Sequence, residues 1–254
     1  MFKNRVKNRT PLYSHMHVFY QTQLSSPQIT LTEDESKHCV RVLRMQKGDE
    51  VYLADGSGTM AKAVIADDHP KKCVLQITSR TEYTQAQSSG RNYYLHLLVA
   101  PTKNFDRMEW FIEKATEVGV DEITFIETEN SERAKVNLER CLKIAVSAMK
   151  QSKQWYLPKI NALVGFDAAI KAVGQTAKFM CWCPTAQTDL LCDLMPQAQP
   201  NQLAILIGPE GDFTPHEVQL AQAQGFVPAS LGQTILRTET AALFACMAAK
   251  STLS

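Results

Sequence analysis

Residues 203–213, LAILIGPEGDF, and residues 231–242, LGQTILRTETAA, decide how this chain is read. Leu203 to Ile207 is an unbroken apolar run, the pattern of a parallel strand buried on both faces. It ends in Gly208-Pro209-Glu210-Gly211. Thr214-Pro215-His216-Glu217 then supplies an N-cap, a proline at the first helical position and a glutamate at N3, which together start a helix that Gly225 ends. Ligands of open parallel α/β sheets sit at the carboxyl ends of strands, and two glycines let the backbone approach a ligand closely. By residue logic the segment reads as a ligand loop or as a plain tight turn. Neither GxGxxG nor GxxxxGK followed by serine or threonine is present and no lysine is near, so a dinucleotide or nucleoside-triphosphate site is disfavoured.

The second segment repeats the plan. Phe226 to Leu231 reads as a strand ending at Gly232, and Thr238 to Thr252 as the last helix. Ala241, Ala242, Ala245, Ala248 and Ala249 are small, so another segment of the chain or a second subunit packs close to this helix. Arg237 and Glu239 read as a structural ion pair or as site residues.

Working outward, strand and helix patterns alternate back to Tyr93. Tyr93 to Ala100, Glu122 to Glu127 and Lys178 to Cys183 read as strands. Asp106 to Gly119, Asn137 to about Gln154, a short segment capped by Asp167, and Leu190 to Leu194 read as helices. This alternation predicts a parallel sheet covered on both faces. The polar stretch EYTQAQSSG, residues 82–90, breaks all periodicity and predicts a linker at 81–91. Before it, residues 16–80 predict a small β-rich domain, with a helix started by Thr32 and Glu35, a turn at Asp55-Gly56-Ser57-Gly58, and strands on both sides of that turn. Residues 1–15 read as an N-terminal extension, and residues 92–254 as the α/β domain.

The totals describe an ordinary globular chain of 254 residues, 44% hydrophobic and 21% charged, which is long enough to bury a real core. No apolar run approaches the roughly 20 residues of a membrane helix, and no apolar signal core follows the basic N-terminus, so a cytoplasmic location is expected. Seven cysteines with scattered spacing predict free thiols and no structural metal. Net charge is +1, but its distribution is uneven. From Arg133 to Lys159 there are seven cations and one acid, Glu139, which reads as a polyanion surface or as a solvated helix face. From Phe179 to Ala249, Arg237 is the only lysine or arginine.

GPEGDF followed by LGQTILRTETA resembles the C-terminal signature of the RsmE family, ribosomal RNA methyltransferases of the SPOUT class that act on uracil N3 in the small subunit. Residues 38–45 (HCVRVLRM), 103–120 (KNFDRMEWFIEKATEVGV), Glu132-Arg133, and Gln151-Ser152 through Pro158 are similar to further family stretches. The likeness covers roughly residues 16–250. Lys150, Gln154 and Asp212 depart from the family's usual residues.

The resemblance implies a trefoil-knotted α/β methyltransferase domain behind a PUA-like β-barrel that binds RNA, with S-adenosyl-L-methionine as cofactor and a homodimer formed through the C-terminal domain. Ile207, Gly208, Glu210, Gly211, Leu231, Gly232, Ile235, Leu236 and Thr240 are the implied cofactor residues. Arg237 is expected to stabilise the uracil oxygens, and Glu239 or Glu210 to orient it or to act as base. Arg41, Arg44 and Lys47 in the first domain, and Lys103, Arg107 and Arg133 in the second, are the expected RNA contacts. The competing expectations are action on another RNA site, a non-catalytic RNA-binding assembly factor, and a nucleotide-dependent enzyme.

Overall fold

The first unit is a sheet of short strands with one face covered. In the computed structural model, which describes residues 16–132, 135–182, 188–198 and 201–253, this unit takes in residues 16–84 together with Met149–Tyr156. Its strands are β1 (Val18–Tyr20), β2 (Gln28–Thr30), β3 (Glu50–Ala54), β4 (Thr59–Asp67) and β5 (Val74–Glu82), ordered β1-β3-β4-β5-β2. β1 runs parallel to β3, and the other pairings are antiparallel. Along β4, Ala61, Ala63 and Ile65 are buried and their neighbours half-buried. That is the period-two pattern of a strand with one face on a core.

Between β2 and β3, Thr32 caps helix α1 (Glu33–Lys37) by accepting from the Glu35 N–H at 3.3 Å. Glu35 was expected to reach back to the cap. Its carboxylate instead accepts from Lys150 Nζ at 2.8 Å, because a full charge is the stronger partner.

Residues 149–156 were expected in the second domain but pack with the first unit. Trp155 stacks on Tyr83 with ring centroids 5.9 Å apart, and Tyr156 Oη donates to the Tyr83 carbonyl at 2.7 Å. Two aromatic rings carry much of the apolar area in that stretch, and burial decides where it goes.

The stretch expected as linker holds the end of β5 and a short helix α2 (Gln85–Ser89). The second unit continues with β6 (Tyr94–Val99), α3 (Phe105–Val118), β7 (Glu122–Glu127), α4 (Leu138–Ser152), β8 (Lys159–Gly165), α5 (Phe166–Ala172), β9 (Ala177–Cys181), α6 (Leu191–Ala198), β10 (Gln202–Ile207), α7 (Pro215–Ala223), β11 (Val227–Ala229) and α8 (Thr238–Leu253). All pairings are parallel, in the order β11-β9-β10-β6-β7-β8.

Apolar clusters cover both faces of this sheet, one including Leu95, Leu97, Phe111 and Ile205, the other Leu98, Phe166, Leu206 and Phe213. Leu203 to Ile207 are buried, as a central parallel strand requires. The alanines of α8 let that helix lie close against α3 and α6, with Ala242, Ala245 and Ala249 fully buried.

Two readings are corrected. β8 was not expected, because KINALVG at a sheet edge is largely exposed and shows no run or alternation. Helix α5 is capped by Gly165, and Asp167 lies inside its first turn, where a carboxylate favours the helix dipole. Among the described residues no helix is long and apolar enough to cross a membrane.

Candidate active site

The strand order reverses beside β6: the chain passes from β6 to β7 and β8 on one side, then crosses to β9 and β10 on the other. A crevice at the carboxyl ends of strands near such a switch is where this architecture binds ligands. The structure has a cavity of about 420 Å³ there, lined by residues following β9, β10 and β11.

Two loops build most of it. β10 ends where the Ile207 carbonyl accepts from Ala100 N at 3.0 Å. The turn that follows is closed by Asp212 N donating to the Pro209 carbonyl at 3.0 Å. The expected capping box is present: Glu217 N donates to Thr214 Oγ1 at 3.3 Å and Thr214 N to Glu217 Oε2 at 2.9 Å. Gly208 sits tightly, since an added Cβ would stand 3.1 Å from the Phe213 ring and the ring would have to give.

After β11, Gly232 N donates to Ser230 Oγ at 3.1 Å. Gly232 holds φ +120, a conformation open only to glycine at low cost. The two loops meet where Thr238 Oγ1 donates to the Gly208 carbonyl at 3.0 Å.

Ile207, Gly208, Glu210, Leu231, Gly232, Ile235 and Leu236 all line this cavity, as does Arg237. Two of the expected cofactor residues do not. Gly211 turns toward Asn130, and Thr240 lines a neighbouring cavity of about 350 Å³ with Asp106, Arg107, Trp110 and Glu239. On a helix, Thr240 and Ala241 point to different sides, and it is Ala241 that meets the larger cavity. Cys181, Trp182, Pro209, Asp212 and Thr238 also line it and were not expected. Cys181 and Trp182 follow from geometry, because the carboxyl ends of neighbouring parallel strands share one edge of the sheet. Burial pushes the Cys181 thiol well above its ordinary range.

Arg237 and Glu239 are not a pair. Arg237 is exposed at the cavity, and its guanidinium has no ion-pair or hydrogen-bond partner among the described residues. Glu239 is 7% exposed, and its Oε1 lies 3.9 Å from Arg107 Nε. Its Oε2 is buried with no protein partner among the described residues.

Of the expected RNA-contacting cations, Arg41, Arg44 and Lys47 are exposed on the first unit. Lys103 Nζ pairs with Glu132 at 2.7 Å, and its backbone N–H donates to Glu210 Oε1 at 3.3 Å. Arg107 faces Glu239 as above, and Arg133 lies outside the described residues. Several cations of the basic run at 133–159 are paired with acids. Arg140 donates to Glu109 at 2.7 Å, Lys143 to Glu139 at 2.6 Å, Lys150 to Glu35 at 2.8 Å and Lys159 to Glu122 at 2.8 Å. Counting charges along the chain finds one acid in this run, whereas folding brings three more from elsewhere.

The lining suits a nucleoside bearing no phosphate. It joins apolar side chains to backbone polar groups, in a volume within the usual range for small-molecule sites. Among the described residues, the N–H groups of residues 233–236 have no protein partner and are available to the polar edge of a base. The Glu210 carboxylate adds negative charge to the lining, as suits a cationic ligand, and Arg237 is the lining's lone basic side chain.

The fold is that of an α/β methyltransferase, and the comparisons make it an RNA methyltransferase with a PUA domain. Residues 90–250 match the RNA methyltransferase domain family, and residues 31–78 the RNA methyltransferase PUA domain family. The chain is 30% identical over 86% of its length to ribosomal RNA small subunit methyltransferase E of Synechocystis sp., of which the match covers 71%. Among solved structures it resembles a "probable rRNA-methyltransferase" from Porphyromonas gingivalis, at 38% identity and TM-score 0.84, over 93% of this chain and 98% of that one. It also resembles ribosomal RNA small subunit methyltransferase E from Neisseria gonorrhoeae, bound to S-adenosyl methionine, at 26% identity and TM-score 0.82, over 93% and 98%. The chain belongs to the ribosomal RNA small subunit methyltransferase E family.

Proposed function

We propose that this protein methylates N3 of a uridine in 16S ribosomal RNA, in the cytoplasm, with S-adenosyl-L-methionine as donor. The observation that carries the proposal is the cavity at the ends of β9, β10 and β11, with its paired glycine loops and Arg237 as its only lysine or arginine. Ile207, Leu231, Leu236 and Ala241 would hold the adenine, and the unpartnered amides of residues 233–236 its polar edge. The bound cofactor supplies an electrophilic methyl group on a sulfonium. A close crossing of the two loops at Thr238 and Gly208 fits the trefoil knot expected of the family.

Uracil N3 carries its proton at neutral pH, so attack requires that the proton be taken and the resulting anion stabilised. Arg237 stands at the cavity with its guanidinium uncommitted, and it neutralises the charge that spreads onto the uracil oxygens. Glu210 shares the cavity with Arg237, which favours it over Glu239 as the group that takes the proton. Glu239 faces Arg107 instead, and we read it as holding that arginine toward the RNA. The remaining work is alignment of N3 with the methyl group.

RNA affinity comes from Arg41, Arg44 and Lys47 in the first unit and from Lys103 and Arg107 in the second. Trp110, Phe244 and Met247 are exposed by 43, 43 and 54% on α3 and α8, a face that suits a second copy of the chain.

Mass spectrometry of ribosomal RNA from a deletion strain tests the function. Loss of a single methyluridine, restored by the gene, is the expected result. An unchanged methylation profile would rule the assignment out.

A further inference from the structure

We propose that Asn130 is a positioning residue for the cofactor loop, holding Gly211 and Asp212 in the left-handed turn that shapes one wall of the cavity. The inference rests on reading that cavity as the S-adenosylmethionine site. Asn130 lies outside the cavity, in the connection from β7 to α4. Its own turn is closed by Ser131 N donating to the Thr128 carbonyl at 3.1 Å and by Thr128 N donating to Ser131 Oγ at 2.9 Å. From this fixed base, Asn130 Nδ2 donates to the Gly211 carbonyl at 3.0 Å and to the Asp212 carbonyl at 2.9 Å.

These two carbonyls flank a strained position. Asp212 has φ +58, a region L residues enter only at a cost. Glycine would rest there unaided, whereas aspartate has to be held. Part of the hold is its own side chain, since Asp212 Oδ1 accepts from Phe213 N at 2.8 Å. The rest comes from Asn130. The fit is close: a Cβ on Gly211 would stand 3.0 Å from Asn130 Cβ, so Gly211 and Asn130 suit each other as a pair. The neighbouring Glu129 N donates to Glu217 Oε1 at 2.9 Å, while Glu217 Oε2 accepts from Thr214 N. Residues 129 and 130 therefore grip the loop at both its middle and its far end. Without Asn130 the two carbonyls would turn to water and Asp212 could relax to negative φ. Gly208 and Pro209, which line the cavity with Asp212, would move with it, while Glu210 keeps its tie to Lys103 N.

Asn130 touches neither the cavity nor the reacting atoms, so its loss should act on cofactor binding more than on turnover. The test is calorimetry with S-adenosylmethionine on the full chain, in wild type, Asn130→Ala and Asn130→Ala/Asp212→Gly. KM for the cofactor, kcat at saturating RNA, and thermal unfolding are measured alongside. Asn130→Ala should weaken cofactor binding about tenfold and raise its KM similarly, with kcat within about twofold, as expected for two hydrogen bonds to backbone carbonyls. Asp212→Gly in that background should restore most of the loss, because glycine holds positive φ without help. A general loss of stability would show no such allele-specific rescue.

Cofactor binding by Asn130→Ala within about twofold of a binding-competent wild type would overturn the proposal, as would a loss that Asp212→Gly leaves untouched. If Asn130→Ala does not fold, Asn130→Ser, whose hydroxyl is too short to span both carbonyls, is judged by the same outcomes. A wild-type chain that takes up no S-adenosylmethionine sinks the reading of the cavity itself, and the latch with it.

Discussion

The loop after β10 is tied down along most of its length, whereas the loop after β11 is held mainly at its ends. In the first, the Pro209–Asp212 turn, the Lys103–Glu210 contact, Asn130, the Asp212 side chain and the Thr214–Glu217 box all act within seven residues, 208–214. In the second, Ser230 anchors Gly232, and Thr238 reaches across to Gly208. The amides of residues 233–236 have no protein partner among the described residues, and Ile235 is fully exposed. Both loops follow a parallel strand, central for β10 and at the sheet edge for β11, and glycine permits both. They differ in where their backbone polar groups go. Backbone groups satisfied by protein make a wall, and unsatisfied ones make a recognition edge, since each can be paired by a ligand at little reorganisation cost.

The sharpest way to break this comparison is Arg237→Ala. It removes the only lysine or arginine of the second loop and should cut methyl transfer by roughly 100-fold or more, the scale of losing one preorganised charge stabiliser. Cofactor affinity by calorimetry should stay near wild type, because the wall is untouched. Near-normal turnover would take Arg237 out of the mechanism.

Gly232→Ala should cost about 1–3 kcal/mol at a φ that alanine resists, read as a weaker cofactor affinity of roughly tenfold or more. If the second loop is instead loose enough to absorb the strain, affinity will not change.

Acid should act on the other end of the sheet and leave the loops' difference intact. Burial pushes His96 below its ordinary 6.5. Glu122 is held below the usual carboxylate range despite burial, by hydrogen bonds from Lys159, Asn161 and Tyr94. Both groups bind protons more readily in the unfolded chain than in the folded one. Their contribution is therefore present at neutral pH, and it declines first as pH falls below about 6.5 and again through the folded range of Glu122. The unfolding midpoint should drop by a few degrees between neutral pH and about pH 5. His96→Asn should flatten the upper part of that slope, and an unchanged slope would remove His96 from the account.

Thr238→Val removes one neutral hydrogen bond between the loops and should weaken cofactor binding by about 1 kcal/mol. A larger loss would mean that the two loops depend on each other more than their separate anchoring suggests. At the small end, Lys143→Ala should leave the thermal unfolding midpoint nearly unchanged, since its pair with Glu139 is exposed on α4.

Features carried by contiguous residues were legible in the sequence. The LAILI run announced a buried parallel strand, Thr214 to Glu217 announced a capped helix, and the alanines of the last helix announced close packing. Each depends on period, cap chemistry or side-chain size within a few positions, so it survives without knowledge of the rest of the chain. The two linked C-terminal motifs, and the family likeness they carry, belong to the same class of local signal.

What tertiary structure alone decided concerns partners distant in sequence. The basic run at 133–159 finds Glu35, Glu109 and Glu122 only after folding. Glu239 turns to Arg107 rather than to Arg237, two positions away, because Arg237 precedes the helix and lines the cavity while Glu239 lies within α8 beside α3. Asn130 meets Gly211 and Asp212 from some eighty positions away. Local pattern determines which elements form and which faces they bury. Which charge is neutralised, and which loop is a wall or an open edge, depends on pairings between elements that no local period encodes.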